Sequence, residues 1–270
     1  MQNIFLDFKN EIGFINATSQ YTELLIKVND EILKMPKEEL EKIARENQLT
    51  ITDIPAEAAG LLSKNAITSI YSVFESFIKK YNSLPGTKTY GKRFDRSTYE
   101  QENELEWCLD EIYGSVWPKE VQDLYCVVHY YRLVRNQCVH RYVKNLKENI
   151  RIATERMQQI DKQYFVSKVR GDLHIPQNPN EVVYDDQIIF SRAAIRLAEH
   201  IFDDTEYDID QIIDCAFEDI ELRASVKKKA KPHRRRSVVI NTLKYRYPQK
   251  FIEGKITMLE LLIDEKLKNI

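Results

Sequence analysis

The side chains best suited to chemistry lie in one stretch, Val121-Gln-Asp-Leu-Tyr-Cys-Val-Val-His-Tyr-Tyr-Arg-Leu-Val-Arg-Asn-Gln-Cys-Val-His140, followed by Arg141-Tyr142. On a helical wheel, at about 100° per residue, Leu124, Val127, Val128, Tyr131, Val134, Cys138 and Tyr142 share one apolar face. Arg135 falls in the middle of that face. An always-charged guanidinium is costly to bury without an acid or a phosphate to pair with, so this end of the helix is expected to line a polar cleft or an interface. The opposite face carries His129, Asn136 and His140 at i, i+7 and i+11, an arrangement that lets all three project in a row. Histidine titrates near neutral pH and can move protons there, so the stretch combines an anion-holding group with proton-transfer groups. Arg135 and His140 are five residues apart, about 140° around a helix, so a pocket using both needs the helix to end there or a second copy of the chain.

The elements that must position these groups read as helices. Leu24, Leu25, Val28 and Ile32 recur at helical spacing within 21–47, which Met35-Pro36 divides into two short helices. In 66–81, Ile67, Ile70, Tyr71, Phe74, Ile78 and Tyr81 form one stripe that stops at Ser83-Leu84-Pro85-Gly86. The segment 87–101 is polar, basic and without period, and is expected to be an exposed loop. A helix near 103–113 ends at Gly114, and Pro118 suits the first turn of the helix bearing Arg135. Further helices are expected at 146–164, 186–203 and 208–223, with a short hairpin pairing 165–169 with 181–184. Two short helices, 237–246 and 257–268, close the chain, the second opened by a capping box at Thr257 and Glu260.

Composition narrows the function classes. The chain has 270 residues, 43% hydrophobic and 30% charged, with a formal net charge of −2, enough for one large domain or a core domain with an appendage. Only 7 Gly and 8 Pro leave little turn chemistry for a sandwich or barrel. The four cysteines, Cys108, Cys126, Cys138 and Cys215, contain no CxxC pair and have no histidine at ligand spacing, so neither a zinc site nor a disulfide framework is expected. No stretch approaches the length of a membrane span and the first residues do not read as a secretory signal, so a cytoplasmic protein is expected. The nucleotide-binding, hydrolase and metalloprotease signatures GxGxxG, GxxxxGK[ST], GxSxG and HExxH are absent. His174, His200 and His233 have no partner at useful spacing.

The run Tyr131-Arg-Leu-Val-Arg135-Asn136-Gln-Cys-Val-His140 resembles the signature of the HEPN superfamily (higher eukaryotes and prokaryotes nucleotide-binding domains): an arginine, usually followed by a polar residue, with a histidine four to six residues on. The preceding aromatic helix with Phe74-Glu75-Ser76-Phe77 and the helices that follow fit the same pattern, over roughly residues 55–205. The resemblance implies an all-α, HEPN-like helical bundle that dimerises through the motif helices and, in active members, is an endoribonuclease needing neither metal nor cofactor. Arg135, Asn136 and His140 would be its catalytic residues. Cleavage by the RNA's own 2′-hydroxyl needs a group near neutral pKa, a role for His140, and an arginine fork on the phosphoryl oxygens, a role for Arg135, with Asn136 orienting either. The resemblance also implies a homodimer, a microbial toxin–antitoxin or phage-defence setting, and an antitoxin or nucleotidyltransferase as partner protein.

Charge is distributed unevenly near the C-terminus. Residues 197–221 hold ten acids and no Lys or Arg, and residues 222–252 hold eleven Lys and Arg and no acid. The expected organisation is an N-terminal helical segment (1–50), a HEPN-like domain (51–223) and a basic helical extension (224–270). Lys227, Lys228, Lys229, Lys231, Arg234, Arg235 and Arg236, interleaved downstream with Tyr245 and Tyr247, suit contact with nucleic acid, and docking on the acidic 199–221 segment is the competing use. Two other readings stay open: a non-catalytic helical dimer holding RNA or a protein, and a DNA-binding regulator whose 237–268 helices form a helix-turn-helix pair.

Overall fold

The structure is a computed structural model that describes residues 3–28, 35–46, 58–94, 103–139, 145–168 and 171–268. Among them are twelve α-helices: α1 (Ile4–Val28), α2 (Lys37–Glu46), α3 (Ala58–Asn82), α4 (Glu104–Tyr113), α5 (Lys119–Val139), α6 (Leu146–Met157), α7 (Tyr184–Asp203), α8 (Ile209–Glu218), α9 (Ile220–Lys227), α10 (Pro232–Arg246), α11 (Gln249–Gly254) and α12 (Ile256–Leu267). The fold class is therefore all-α. A 3-10 turn at Lys162–Phe165 and a two-stranded hairpin, β1 (Val166–Ser167) with β2 (Gly171–Asp172), complete the described elements. No helix of the described residues is long and apolar enough to cross a membrane.

The chain clusters into two compact units, one of Met1–Lys9, Val73–Gln122 and Ile195–Ile270, the other of Asn10–Ser72 and Asp123–Ala194. In the first, the aromatic residues of α1 and α3 meet: Phe8 and Phe77 ring centroids are 5.0 Å apart, and Phe5 stacks on Phe202 of α7 at 5.7 Å. A separate apolar cluster joins α8 to α12 and includes Ile212, Leu222, Val226, Val239, Leu243, Ile252 and Ile263. The boundary expected at 223/224 falls inside α9, and the buried faces of the basic helices belong to the same cluster as α8. In the second unit the core side chains of α5 are Leu124, Val127, Val128, Tyr131 and Val134, each fully buried. Tyr131 stacks on Phe190 of α7 at 4.9 Å and donates a hydrogen bond to the Asp186 carboxylate at 2.8 Å.

Several local expectations change. The segment after α3 is not an exposed loop at its start: Thr87 and Thr89 are buried, because their hydroxyls bond each other at 3.2 Å and Thr87 donates to the Leu84 carbonyl. Gly86 adopts φ +84° and its N–H donates to the Gln211 side chain while its carbonyl accepts from the Asp208 N–H, which ties the turn onto α8. Residues 95–102 lie outside the described ones. The hairpin pairs 166–167 with 171–172 and not with 181–184, the shorter closure being entropically cheaper. The expected 208–223 helix is two helices, because Asp219 leaves the helical conformation and its carboxylate accepts from the Leu222 N–H as the N-cap of α9. Thr257 lies inside α12 behind an N-cap at Lys255 with no side-chain cap, so the expected capping box does not form.

Candidate functional site

Helix α5 begins just after Pro118, whose carbonyl accepts from the Gln122 N–H, and runs to Val139. From 121 to 134 it is enclosed on several sides: besides the apolar face, Asp123, Tyr130, Arg132 and Leu133 are buried. Burial then fades along the last turn, where Arg135 and Asn136 are half-buried and Gln137, Cys138 and Val139 are exposed. Cys138, expected in the apolar face, thus lies at the emerging end. Arg135, expected to line a polar cleft or an interface, lies half-buried on this gradient.

The structure brings Arg135 and Asn136 together. Arg135 Nη1 donates to Asn136 Oδ1 at 3.1 Å, and the guanidinium carbon lies 5.7 Å from the ring centroid of Tyr71 on α3, within cation–π range. Gln137 Nε2 donates to Asn180 Oδ1 at 2.8 Å beside them. Tyr71 was assigned only to packing by its spacing in the sequence, and its ring is the surface against which the arginine fork rests. His140, Arg141 and Tyr142 lie outside the described residues.

His129 does not share the setting of Asn136. It is largely buried, with Nδ1 3.4 Å from the Tyr125 hydroxyl and 3.4 Å from Arg132 Nη2. Burial, with the nearby positive charges of Arg132 and Arg156, pushes its pKa down to about 3. The projecting row expected from the wheel is therefore broken at His129, whose imidazole is a neutral packing group at physiological pH.

His200, expected to have no partner at useful spacing, has acidic partners. On α7, its Nδ1 lies 2.9 Å from Asp204 Oδ2, four residues on, and its Nε2 is 3.6 Å from Glu120 of α5. The Tyr113 hydroxyl donates to the same Asp204 oxygen at 2.8 Å, and Arg196 pairs with Glu120. The i, i+4 spacing of His200 and Asp204 was the available signal. No group of three or more His, Cys, Asp or Glu among the described residues could hold a metal ion.

The basic run divides into two sets. Arg236 is committed to α12, with Nε 2.9 Å from Asp264 Oδ1 and Nη1 3.7 Å from Glu260, and Arg246 pairs with Asp219 of the acidic segment at 2.7 Å. Arg235 Nε donates to the Lys229 carbonyl at 2.8 Å and pins the α9–α10 turn. Lys227, Lys228, Lys229, Lys231 and Arg234 are exposed and form no ion pair with a described acid.

No known protein family, curated protein or solved structure matches the chain.

Proposed function

We propose that the chain is a metal-independent endoribonuclease of the HEPN type, working as a homodimer in a toxin–antitoxin or phage-defence setting. The observation that carries the reading is the arrangement at the end of α5, where a half-buried Arg135, five residues ahead of His140 in the sequence, is steadied by Asn136 and Tyr71. A guanidinium so held is pre-organised to take two phosphoryl oxygens through its planar fork, and the ordering entropy is already spent.

In the proposed reaction His140 accepts the proton of the RNA 2′-hydroxyl as the 2′-oxygen forms a bond to the adjacent phosphorus. The bond from phosphorus to the 5′-oxygen breaks, and a protonated His140, from the same or the second copy, returns a proton to that leaving oxygen. Arg135 neutralises the charge that gathers on the non-bridging oxygens, and Asn136 keeps the fork aimed. The products are a 2′,3′-cyclic phosphate and a free 5′-hydroxyl. A two-fold arrangement supplies two arginines and two histidines to one cleft, which removes the need for Arg135 and His140 to converge on one helix.

The test is cleavage of mixed cellular RNA in EDTA by wild type, His140→Ala and Arg135→Ala, each checked for folding and for oligomeric state. Loss of cleavage by about 10²-fold or more in both variants is expected for groups acting on the transition state. Equal cutting by the variants, or none by the wild type, refutes the reading and leaves a non-catalytic binding module in its place.

A further inference from the structure

We infer that the solvent face of α10, together with the α9–α10 turn, is a binding track for single-stranded nucleic acid, in which Tyr245 stacks a base and the surrounding cations hold phosphates. This site is separate from Arg135 and does not depend on RNA cleavage.

The sequence of α10 has two faces. Val239 and Leu243 are buried in the cluster shared with α8, α9 and α12. Arg234, Ser237, Asn241, Lys244 and Tyr245 recur at i, i+3, i+7, i+10 and i+11 and are all exposed, so they form one stripe about 16 Å long. Tyr245 is 47% exposed, a large aromatic ring left in water beside Lys244 at the end of a polar stripe that begins at Arg234. At the other end, Lys227, Lys228 and Lys231 crowd the turn, which is fixed to the first turn of α10 by the bond from Arg235 to the Lys229 carbonyl. That first turn contains no acid, so the positive pole of the helix adds to the side-chain charge.

The division of the arginines sharpens the assignment. Had the basic run served only to dock on the acidic segment, its cations would be spent on acids, as Arg246 is on Asp219 and Arg236 on Asp264. The five cations Lys227, Lys228, Lys231, Arg234 and Lys244 have no described acidic partner. An anionic membrane would attract the same charge, but Leu222, Val226, Val239 and Leu243 of α9 and α10 are buried, and Ile220 alone of these two helices' large aliphatic side chains is exposed, too little for an inserting face. An acidic peptide would not use an exposed aromatic plane, whereas every base presents a π-face to one.

The test is fluorescence anisotropy with a labelled 2′-O-methyl RNA 12-mer, which lacks the hydroxyl needed for 2′-attack and so reports binding alone. With five phosphate contacts, log K against log salt has an expected slope of about −3.5, which means roughly 50-fold weaker binding at 150 mM than at 50 mM salt. The triple variant K227A/K228A/R234A should bring the slope to about −1.4. Tyr245→Ala should weaken binding about fivefold to 150-fold with the slope unchanged. K162A/K168A, which removes exposed charges elsewhere, should bind like wild type. The inference is overturned if wild type does not bind at 50 mM salt, if the triple variant keeps the wild-type slope, or if Tyr245→Ala has no effect. It is equally overturned if phosphatidylserine vesicles or polyglutamate compete better than unlabelled oligonucleotide.

Discussion

Replacing His129 by Gln should remove part of the protein's sensitivity to acid. In the folded chain the His129 imidazole stays neutral down to about pH 3, while in the unfolded chain it titrates with the ordinary histidine value near 6.5. The folded pKa is the lower one, so the unfolded state gains a proton first as pH falls. Stability is therefore undiminished above about pH 6.5 and is lost progressively below it, down to about pH 3. Each pH unit in that window costs about 1.4 kcal/mol, so moving from pH 7 to pH 5 costs about 2 kcal/mol through this residue alone. Glutamine keeps an acceptor for Tyr125 and Arg132 but does not titrate. Urea denaturation of both proteins at pH 7 and pH 5 should show the wild type losing about 2 kcal/mol more than the variant. Parallel losses in the two proteins would refute the burial argument. Because His129 is neutral across the working range, the pH profile of any RNA cleavage should be the same in the variant, with the ionisation coming from His140.

Gly86→Ala should destabilise the protein by about 2–5 kcal/mol in the same urea assay: a Cβ there would lie 2.5 Å from Ile212 Cγ1 and 2.9 Å from the Asp208 carbonyl, at a φ that L residues rarely adopt. A change under about 0.5 kcal/mol would mean that the 83–90 turn is not packed on α8. Asp186→Asn should change the pH dependence in the opposite sense to His129→Gln. Burial raises the Asp186 pKa above the usual carboxylate value, so its contribution is fully present at low pH and is lost as pH rises through the raised value. The variant should lose less stability than wild type on going from acid to neutral pH, and an identical profile would contradict the assignment. Arg135→Lys should cut less RNA than wild type despite keeping the charge, because an ammonium lacks the planar fork, and full activity in that variant would rule out a bidentate role.

The periodic elements were legible in the sequence because their apolar spacing is set by the core they meet. The stripes of α3 and α5 are buried at Ile67, Ile70, Phe74, Ile78 and Tyr81 and at Leu124, Val127, Val128, Tyr131 and Val134, with Tyr71 only half-buried. What periodicity could not give was the second enclosed side of α5, since the buried Asp123 and Arg132 are polar and lie outside its apolar stripe. The start of the 87–101 segment departs from an exposed loop for a related reason. Threonines look like loop residues, and only the bonds that Thr87, Thr89 and Gly86 make show that they are packed. The break at Asp219 depends on one side chain capping a helix in place of continuing it. At the candidate site, the expectation that Arg135 lines a polar cleft or an interface came from the cost of burying a guanidinium, while the Tyr71 ring beneath it comes from a segment far away in sequence and the burial of His129 is not visible from helical spacing. The basic run was visible as a run. Which of its arginines are committed to Asp264 and Asp219 could be learned only from where α12 and α9 lie.

The most direct test of the ribonuclease account is to incubate the protein in EDTA with a single-stranded RNA and the same oligonucleotide carrying one 2′-deoxy residue at the cleaved position, and to identify the product ends by mass spectrometry. The account predicts cleavage of the all-ribose strand to a 2′,3′-cyclic phosphate and a 5′-hydroxyl, with no cutting at the deoxy position. Cutting at the deoxy position, or products ending in a 5′-phosphate, would contradict it.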